Sequence, residues 1–167
     1  MTHIRPAQPD DIPAILTLVN EHARRGDLLP RTAESIQATL PDWLVATDDN
    51  QQIIGCVSLL TYTPTLAEVR SLAVADTHKG NGVGQQLVTE LITLAHQRQV
   101  PVLFALTRAV RFFLRLNFQI VSREQFPEKI WRDCVLCPLQ HACDETAVVL
   151  NLSNHIQKEL NHVQTKN

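Results

Sequence analysis

Apolar and polar positions follow two different periods along this chain, and the changes of period predict its secondary structure. The alternation in "HIRPA" predicts a short first strand. The next segment, residues 9–26, predicts a helix because its apolar residues recur at helical spacing: Ile12, Ile15, Leu16 and Val19. Asp10 and Asp11 are predicted to cap its first turn, and Gly26 is predicted to end it.

A hairpin and a further strand follow this helix in the hydrophobic pattern. Thr32 begins a second short helix, which is predicted to stop at Pro41. The stretch "WLVATDDNQQIIGCVSLLT" predicts two strands around a polar turn, and "LAEVRSLAV" predicts a third strand after a turn at Pro64. We expect these three strands to lie side by side and antiparallel.

The remaining elements begin at a glycine-rich turn. The stretch "AVADTHKGNGVGQQLVTEL" joins the third strand to an amphipathic helix predicted over residues 84–99. Further along, "VLFAL", "FQIVS" and "TAVVLNL" predict strands, and "AVRFFLRL" predicts a short helix. The pattern therefore predicts an α/β fold.

Composition narrows the class of protein without naming an activity. A length of 167 residues predicts one domain, over residues 1–153, followed by a polar and helix-like tail over residues 154–167. The near balance of 15 basic and 17 acidic residues, with no basic run, argues against a nucleic-acid partner. The absence of a signal-like segment or a long apolar run predicts a cytoplasmic protein with no membrane partner.

The glycine-rich turn predicts a phosphate site, since such turns expose backbone N–H groups at the start of a helix. No Lys-Ser or Lys-Thr pair follows the glycines, which excludes a P-loop, and "GNGVGQ" lacks the dinucleotide spacing G-x-G-x-x-G. A cradle for a pyrophosphate fits the pattern better. The alternative is a flexible turn that binds nothing.

The segments "AEVRSLAV", "ADTH" and "KGNGVG" together resemble the signature of the GNAT N-acetyltransferase superfamily. "IRPAQPDDIPAI" and "FFLRLNF" extend the resemblance over most of the chain. It implies the GNAT acyl-CoA N-acyltransferase fold, a mixed and mostly antiparallel sheet flanked by helices, with acetyl-CoA as co-substrate. It also implies that the turn and helix start hold the pyrophosphate, through Lys79, Gly80, Asn81, Gly82, Val83, Gly84 and Gln85. The backbone of the preceding strand would hold the pantetheine arm and thioester carbonyl, through Leu72, Ala73 and Val74.

The chain departs from the family pattern at two positions. Lys79 stands where the motif has Arg or Gln, which keeps a positive charge but loses the planar geometry. Phe113 stands where many members carry the Tyr that protonates the leaving thiolate. Tyr62 and Thr107 are weaker candidates for that role, and the thiolate can also leave without assistance.

Glu68 is the candidate general base. Alternation along "LAEVRSLAV" places it on one strand face with Arg70, Leu72 and Val74. A carboxylate is suited to take a proton from an ammonium group, directly or through water. Its spacing to the glycines matches a glutamate that serves as base in several GNAT enzymes. The alternative is a structural Glu68–Arg70 pair at the sheet edge.

The acceptor is suggested by a closer resemblance. "LLPRT", "VLFALTR" and "EKIWRDC" are similar to the acetyltransferase domains of the N-acetylglutamate synthase family, in its short stand-alone form. That resemblance implies L-glutamate as acceptor and the first step of arginine biosynthesis. A dicarboxylate needs cationic partners, for which the candidates are Arg31, Arg70 and Arg108, although each is also compatible with a solvated surface position. Two other functions stay open: acetylation of a polyamine, an antibiotic or a protein N-terminus, and a non-catalytic acyl-CoA sensor.

A cysteine cluster lies near the end of the chain. Cys134, Cys137, His141 and Cys143 supply enough ligands for one zinc ion, but their compressed spacing favours packed free thiols, and no metal is expected. The edge strands and the helix-like tail are compatible with a homodimer.

Overall fold

The computed structural model of the protein describes residues 1–126 and 144–153. Within these residues, seven strands form one mixed sheet in the order β1-β2-β3-β4-β5-β7-β6. The strands are β1 His3–Pro6, β2 Trp43–Thr47, β3 Ile53–Thr63, β4 Leu66–Val74, β5 Val102–Thr107, β6 Gln119–Val121 and β7 Thr146–Asn151. The helices are α1 Ile12–Arg24, α2 Ala33–Ala38, α3 Val83–Gln97 and α4 Val110–Leu114.

The first of two compact units comprises Met1–Leu60 and Val69–Thr93. In it β2 pairs antiparallel with both β1 and β3. Every residue of β2 is buried, so this strand lacks the alternation of a half-exposed strand. The apolar stripe of α1 packs into a core with α2 and these strands, formed by Ile15, Val19, Ile36, Trp43 and Val45 among others.

The second unit comprises Thr61–Glu68 and Leu94–Asn167. In it β5 pairs parallel with the start of β4, from Leu66↔Val102 to Glu68↔Phe104, and antiparallel with β7. Strand β6 completes the edge by pairing antiparallel with β7. A small hydrophobic core in this unit contains Phe104, Phe126 and Ala147.

The predicted elements are confirmed in kind and order, and the predicted mixed, mostly antiparallel sheet is present. Helix α3 begins at Val83 rather than Gly84 and ends at Gln97, and Gln99 follows in the left-handed region with φ +60°. Helix α2 ends at Ala38, earlier than the predicted stop, and Pro41 lies in the 3-10 turn that comes next. The tail over residues 154–167 and the four residues of the cysteine cluster lie outside the described residues.

The Asp11 carboxylate caps the 3-10 turn Pro9–Asp11 at the start of the predicted helix, and not α1 itself. Asp11 is the N-cap residue, but its carboxylate accepts no hydrogen bond from α1. It accepts instead from both Nη atoms of Arg5, at 2.6 and 3.0 Å, and from the Gln8 N–H at 2.7 Å. The carboxylate therefore ties β1 to the turn before α1, a partnership that local capping rules do not contain.

This ion pair gives a first testable prediction. The hydrogen bond from Arg5 holds the pKa of Asp11 below its ordinary value of 3.8. A lowered carboxyl pKa stabilises the fold above that ordinary value and ceases to do so as the pH falls below it. We expect Asp11→Asn to lower the free energy of unfolding at neutral pH by about 2 kcal/mol.

Urea unfolding of the wild type and the variant at several pH values measures this difference. Its size should shrink as the pH falls below 4, and the exposed neighbour offers a matched control, Asp10→Asn, which should change stability little. A difference that stays constant down to pH 2 would contradict an ionic origin.

Candidate active site

The glycine-rich turn after β4 has the backbone geometry of an anion cradle. The chain leaves β4 through Ala75, whose N–H donates to the Ile54 carbonyl at 2.8 Å. Gly80 and Gly82 both lie in the left-handed region, with φ of +81° and +80°, and α3 begins at the next residue. Because side chains disfavour that region, the turn favours glycine at these two positions.

The space around this turn is open. An added Cβ on Gly80 or Gly82 would meet no protein atom within 4 Å, so both face open space. Gln86 donates its N–H to the Gly82 carbonyl at 3.0 Å, which is the first bond of the helical ladder. The N–H groups of a helix's first turn have no intrahelical acceptor, so those of α3 suit the pyrophosphate of CoA.

Lys79 lies in an exposed ionic cluster beside this turn. Its Nζ is 2.8 Å from Asp76 Oδ1, and Arg25 Nη1 is 3.0 Å from each oxygen of the same carboxylate. The hydrogen bonds from Lys79 and then Arg25 lower the pKa of Asp76 to about 2. A phosphate ligand would therefore have to compete with Asp76 for Lys79.

Strand β4 is interrupted by one left-handed residue. Ser71 has φ +55°, a backbone conformation that is uncommon for residues other than glycine. The predicted alternation holds from Val69 onward, since Val69, Ser71 and Ala73 are buried while the residues between them are partly exposed. It fails at Glu68, which is buried although it was predicted to share the face of Arg70. Leu72 and Val74 therefore lie on the more open face of the strand, together with Arg70.

Glu68 is a deeply buried carboxylate, with 2 % of its surface exposed. Strand β4 is the fourth of the seven described strands and lies inside the sheet. The alternative of a structural Glu68–Arg70 pair therefore placed these residues wrongly at the sheet edge. The Tyr62 hydroxyl donates to Glu68 Oε1 at 3.3 Å. The Tyr62 ring in turn lies 5.8 Å from the Phe104 ring, which stacks on Phe126 at 4.1 Å.

Sequence reasoning missed the contact between Tyr62 and Glu68. The two residues lie six positions apart, on either side of the predicted turn at Pro64. That spacing across a hairpin is the sequence signal that could have indicated their contact. The sequence indicates Tyr62 only as a weaker candidate for protonation of the leaving thiolate. The structure places its hydroxyl against the candidate base instead.

The other positions considered for protonation of the thiolate have structural roles in the second unit. Phe113 is buried, and its ring lies edge-on to Phe118 at 5.1 Å. Thr107 is also buried, and its hydroxyl accepts the Ala109 N–H at 2.8 Å. Of the two substitutes, Tyr62 is the one whose hydroxyl contacts the candidate base.

The three candidate arginines lie in different surroundings. Arg31 donates through Nε to the Ser71 hydroxyl at 3.3 Å, which brings its guanidinium to β4 within the first unit. Arg70 is a partly exposed residue of β4 itself. Arg108 belongs to the second unit, where its Nε pairs with Asp144 at 2.6 Å and lowers the pKa of that carboxyl. The structure thus places the Arg31 guanidinium at Ser71, the residue that follows Arg70 in β4.

Cys56 is a buried free thiol. Burial raises its pKa to about 12, and its Sγ lies 3.6 Å from the Ser71 carbonyl. A thiol with that pKa is protonated at neutral pH and is a poor nucleophile. Transfer of an acyl group through this cysteine is therefore not supported.

Within residues 1–126 and 144–153, none of the helices reaches the length and hydropathy that a bilayer crossing requires.

The chain matches the family model described as Acetyltransferase (GNAT) family over residues 13–118. It is 39 % identical over 151 residues to an uncharacterized N-acetyltransferase of Chlorobaculum tepidum, covering 90 % of this chain and 97 % of that one. It is 30 % identical over 116 residues to an amino-acid acetyltransferase of Mycobacterium tuberculosis, covering 69 % of this chain and 67 % of that one.

Two solved structures are similar in fold. A Mycobacterium tuberculosis protein in complex with CoA and NLQ superimposes with a TM-score of 0.76 at 25 % identity, over 90 % of this chain and 99 % of that one. N-acetylglutamate synthase from Neisseria gonorrhoeae, in complex with CoA and N-acetyl-glutamate, gives a TM-score of 0.80 at 26 % identity, over 91 % of this chain but 35 % of that longer one.

Residues 13–118, which match the family model, contain the glycine turn, strand β4 and the buried Glu68. The chain therefore belongs to the GNAT family of acetyltransferases and is an acetyl-CoA-dependent N-acetyltransferase.

Proposed function

We propose that this acetyltransferase acetylates the amine of L-glutamate, with Glu68 as the general base. The observation that carries the proposal is the buried carboxylate of Glu68. Separately, within the first unit, the Arg31 guanidinium contacts the Ser71 hydroxyl. A base and a cation are the two groups that an amino-acid acceptor requires. The relatives named amino-acid acetyltransferase, and the neighbour bound to N-acetyl-glutamate, support this choice.

The donor site in this proposal is the glycine turn and the end of β4. Backbone N–H groups of residues 79–85, with the Lys79 ammonium, hold the pyrophosphate of acetyl-CoA. Backbone groups of Leu72, Ala73 and Val74 pair with the pantetheine arm, as an added strand would. An N–H group among them also stabilises the oxyanion that develops on the thioester carbonyl.

The transfer itself is an aminolysis. Glu68 takes a proton from the acceptor's ammonium group, directly or through one water, and the amine nitrogen then bonds to the thioester carbon. The carbon–sulfur bond breaks as the amide forms, the CoA thiolate leaves with the electron pair, and the nitrogen releases its second proton to water. Because Phe113 supplies no proton, the thiolate is protonated from water, which its thiol pKa near that of cysteine, about 8.5, permits.

The acceptor's two carboxylates are recognised by arginine. Arg31 and Arg70 are the candidates along β4, and Arg108 is the candidate in the second unit, where it already pairs with Asp144. A guanidinium binds a carboxylate through two parallel hydrogen bonds, which favours an acidic amino acid over a polyamine. In this proposal the product is N-acetyl-L-glutamate, and the reaction is the first step of arginine biosynthesis.

A series of acceptors at saturating acetyl-CoA, assayed for release of free CoA thiol, tests the proposal. L-Glutamate should give the highest kcat/KM, and amidation of either carboxylate, as in L-glutamine, should lower it at least about tenfold. A higher kcat/KM for spermidine or a peptide N-terminus would replace glutamate with another amine. Binding of CoA with no thiol release for any amine would overturn the catalytic assignment of Glu68.

A further inference from the structure

A side-chain amide on α1 clamps the backbone of Arg31. Asn20 Nδ2 donates to the Arg31 carbonyl at 3.3 Å, and the Arg31 N–H donates to Asn20 Oδ1 at 3.1 Å. One planar amide thus satisfies both backbone groups of a single residue eleven positions away, as a neighbouring strand would.

The two hydrogen bonds from Asn20 attach the segment between α1 and α2 to helix α1. Arg31 lies between the end of α1 at Arg24 and the start of α2 at Ala33, outside regular structure. Asn20, by contrast, follows the fully buried Val19 on a helix packed into the core of the first unit. Fixing a backbone in a connecting segment requires such a partner, because the conformational entropy lost is about 1–2 kcal/mol per residue.

The guanidinium of Arg31 has an anchor of its own at Ser71. The Ser71 hydroxyl accepts from Nε at 3.3 Å, and Ser71 is the residue of β4 with φ +55°. A serine held in the left-handed region is strained relative to glycine, and strain of this kind concentrates at functional sites. Here the strained residue is the one that contacts the candidate substrate-binding arginine.

We propose that Asn20 and Ser71 are positioning residues that fix Arg31 for binding of the acceptor's carboxylate. Asn20 fixes the main chain of Arg31, and Ser71 sets the direction of its guanidinium through Nε. A guanidinium has Nη donors besides Nε, and two Nη–H bonds form one of the bidentate arrangements for a carboxylate. The ligand class is an amine that carries a carboxylate, and the inference rests on the proposed function.

A comparison of Asn20→Ala, Arg31→Met and the double variant tests this directly. Each is measured for kcat, for KM of L-glutamate, for KM of acetyl-CoA and for thermal midpoint. We expect Asn20→Ala to raise KM for glutamate about tenfold with KM for acetyl-CoA unchanged, and Arg31→Met to raise it further. The double variant should match Arg31→Met alone, because Asn20 acts through Arg31.

Two further variants separate positioning from stability. Ser71→Gly removes the hydroxyl and relieves the strain, so KM for glutamate should rise while the thermal midpoint does not fall. Asn20→Asp keeps the acceptor for the Arg31 N–H and loses the donor, so it should raise KM for glutamate above that of the wild type, but less than Asn20→Ala does. If Asn20→Ala folds poorly, the rise in Asn20→Asp tests the role of Asn20 by itself. Thr17→Ala, at an exposed position of the same helix, is the control and should change neither KM.

Different outcomes overturn different claims. If Arg31→Met leaves KM for glutamate unchanged, the role of Arg31 in the proposed function fails, and the positioning roles fail with it. If Arg31→Met raises that KM but Asn20→Ala does not, or raises both KM values equally, the inference about Asn20 is overturned while the proposed function stands. An unchanged KM in Ser71→Gly would overturn the role of Ser71 alone.

Discussion

Replacement of Glu68 by glutamine should lower kcat at neutral pH by about a hundredfold or more, with KM for acetyl-CoA nearly unchanged. Glutamine has the shape of glutamate and its carbonyl still accepts from the Tyr62 hydroxyl, so the packing around this buried side chain is preserved. What is lost is the capacity to take a proton, and general-base catalysis typically contributes a factor of about 10² to 10⁴. Steady-state rates of thiol release with both substrates varied measure the effect.

The matched control is Glu90→Gln, which removes a carboxylate from an exposed position on α3 and should leave kcat unchanged. A rise of kcat with pH in Glu68→Gln, toward the wild-type value, would be consistent with an acceptor that loses its proton to solvent. Full activity of Glu68→Gln at neutral pH would show that the base is another group.

The second large effect is expected at the donor turn. Gly82→Ala should raise KM for acetyl-CoA at least about tenfold, because the added Cβ enters the open space where the pyrophosphate is proposed to lie. It should also lower the free energy of unfolding by about 1 kcal/mol, since alanine is strained at φ +80°. Initial rates with acetyl-CoA varied, and a thermal melt, measure the two effects separately.

Gly26 provides a control with the same backbone strain. It has φ +78°, and a Cβ there would also meet no atom within 4 Å, but it lies at the end of α1 rather than in the donor turn. Gly26→Ala should therefore lose similar stability and keep its KM for acetyl-CoA. Equal changes of that KM in both variants would contradict a pyrophosphate site at Gly82.

The hydrophobic pattern predicted the order of elements well because each element has a clear local signal. Gly26 ends α1 and Thr32 begins α2 as predicted, the latter by accepting the Ser35 N–H. Asp11 accepts the Gln8 N–H in the 3-10 turn before α1, as a capping residue does, and it also accepts from the Arg5 guanidinium. The second partner depends on how β1 lies beside the turn, which capping rules do not contain.

The candidate site was predictable where its chemistry is local in sequence. The glycine turn is one continuous motif, and its glycines at positions 80 and 82 lie in the left-handed region. The clamp of Asn20 on Arg31 and the strain at Ser71 were not predictable, because both arise from how a helix and a strand meet a connecting segment. The partners of a long side chain are decided by packing, and packing has no signature in one sequence.

The most direct test of the central claim is a competition experiment read by mass spectrometry. The enzyme is given acetyl-CoA with an equimolar mixture of L-glutamate, L-glutamine, L-aspartate, spermidine and a short peptide, and the acetylated products are identified. We predict that N-acetyl-L-glutamate is the dominant product and that it is nearly absent with Glu68→Gln. Acetylation mainly of spermidine or the peptide would contradict it.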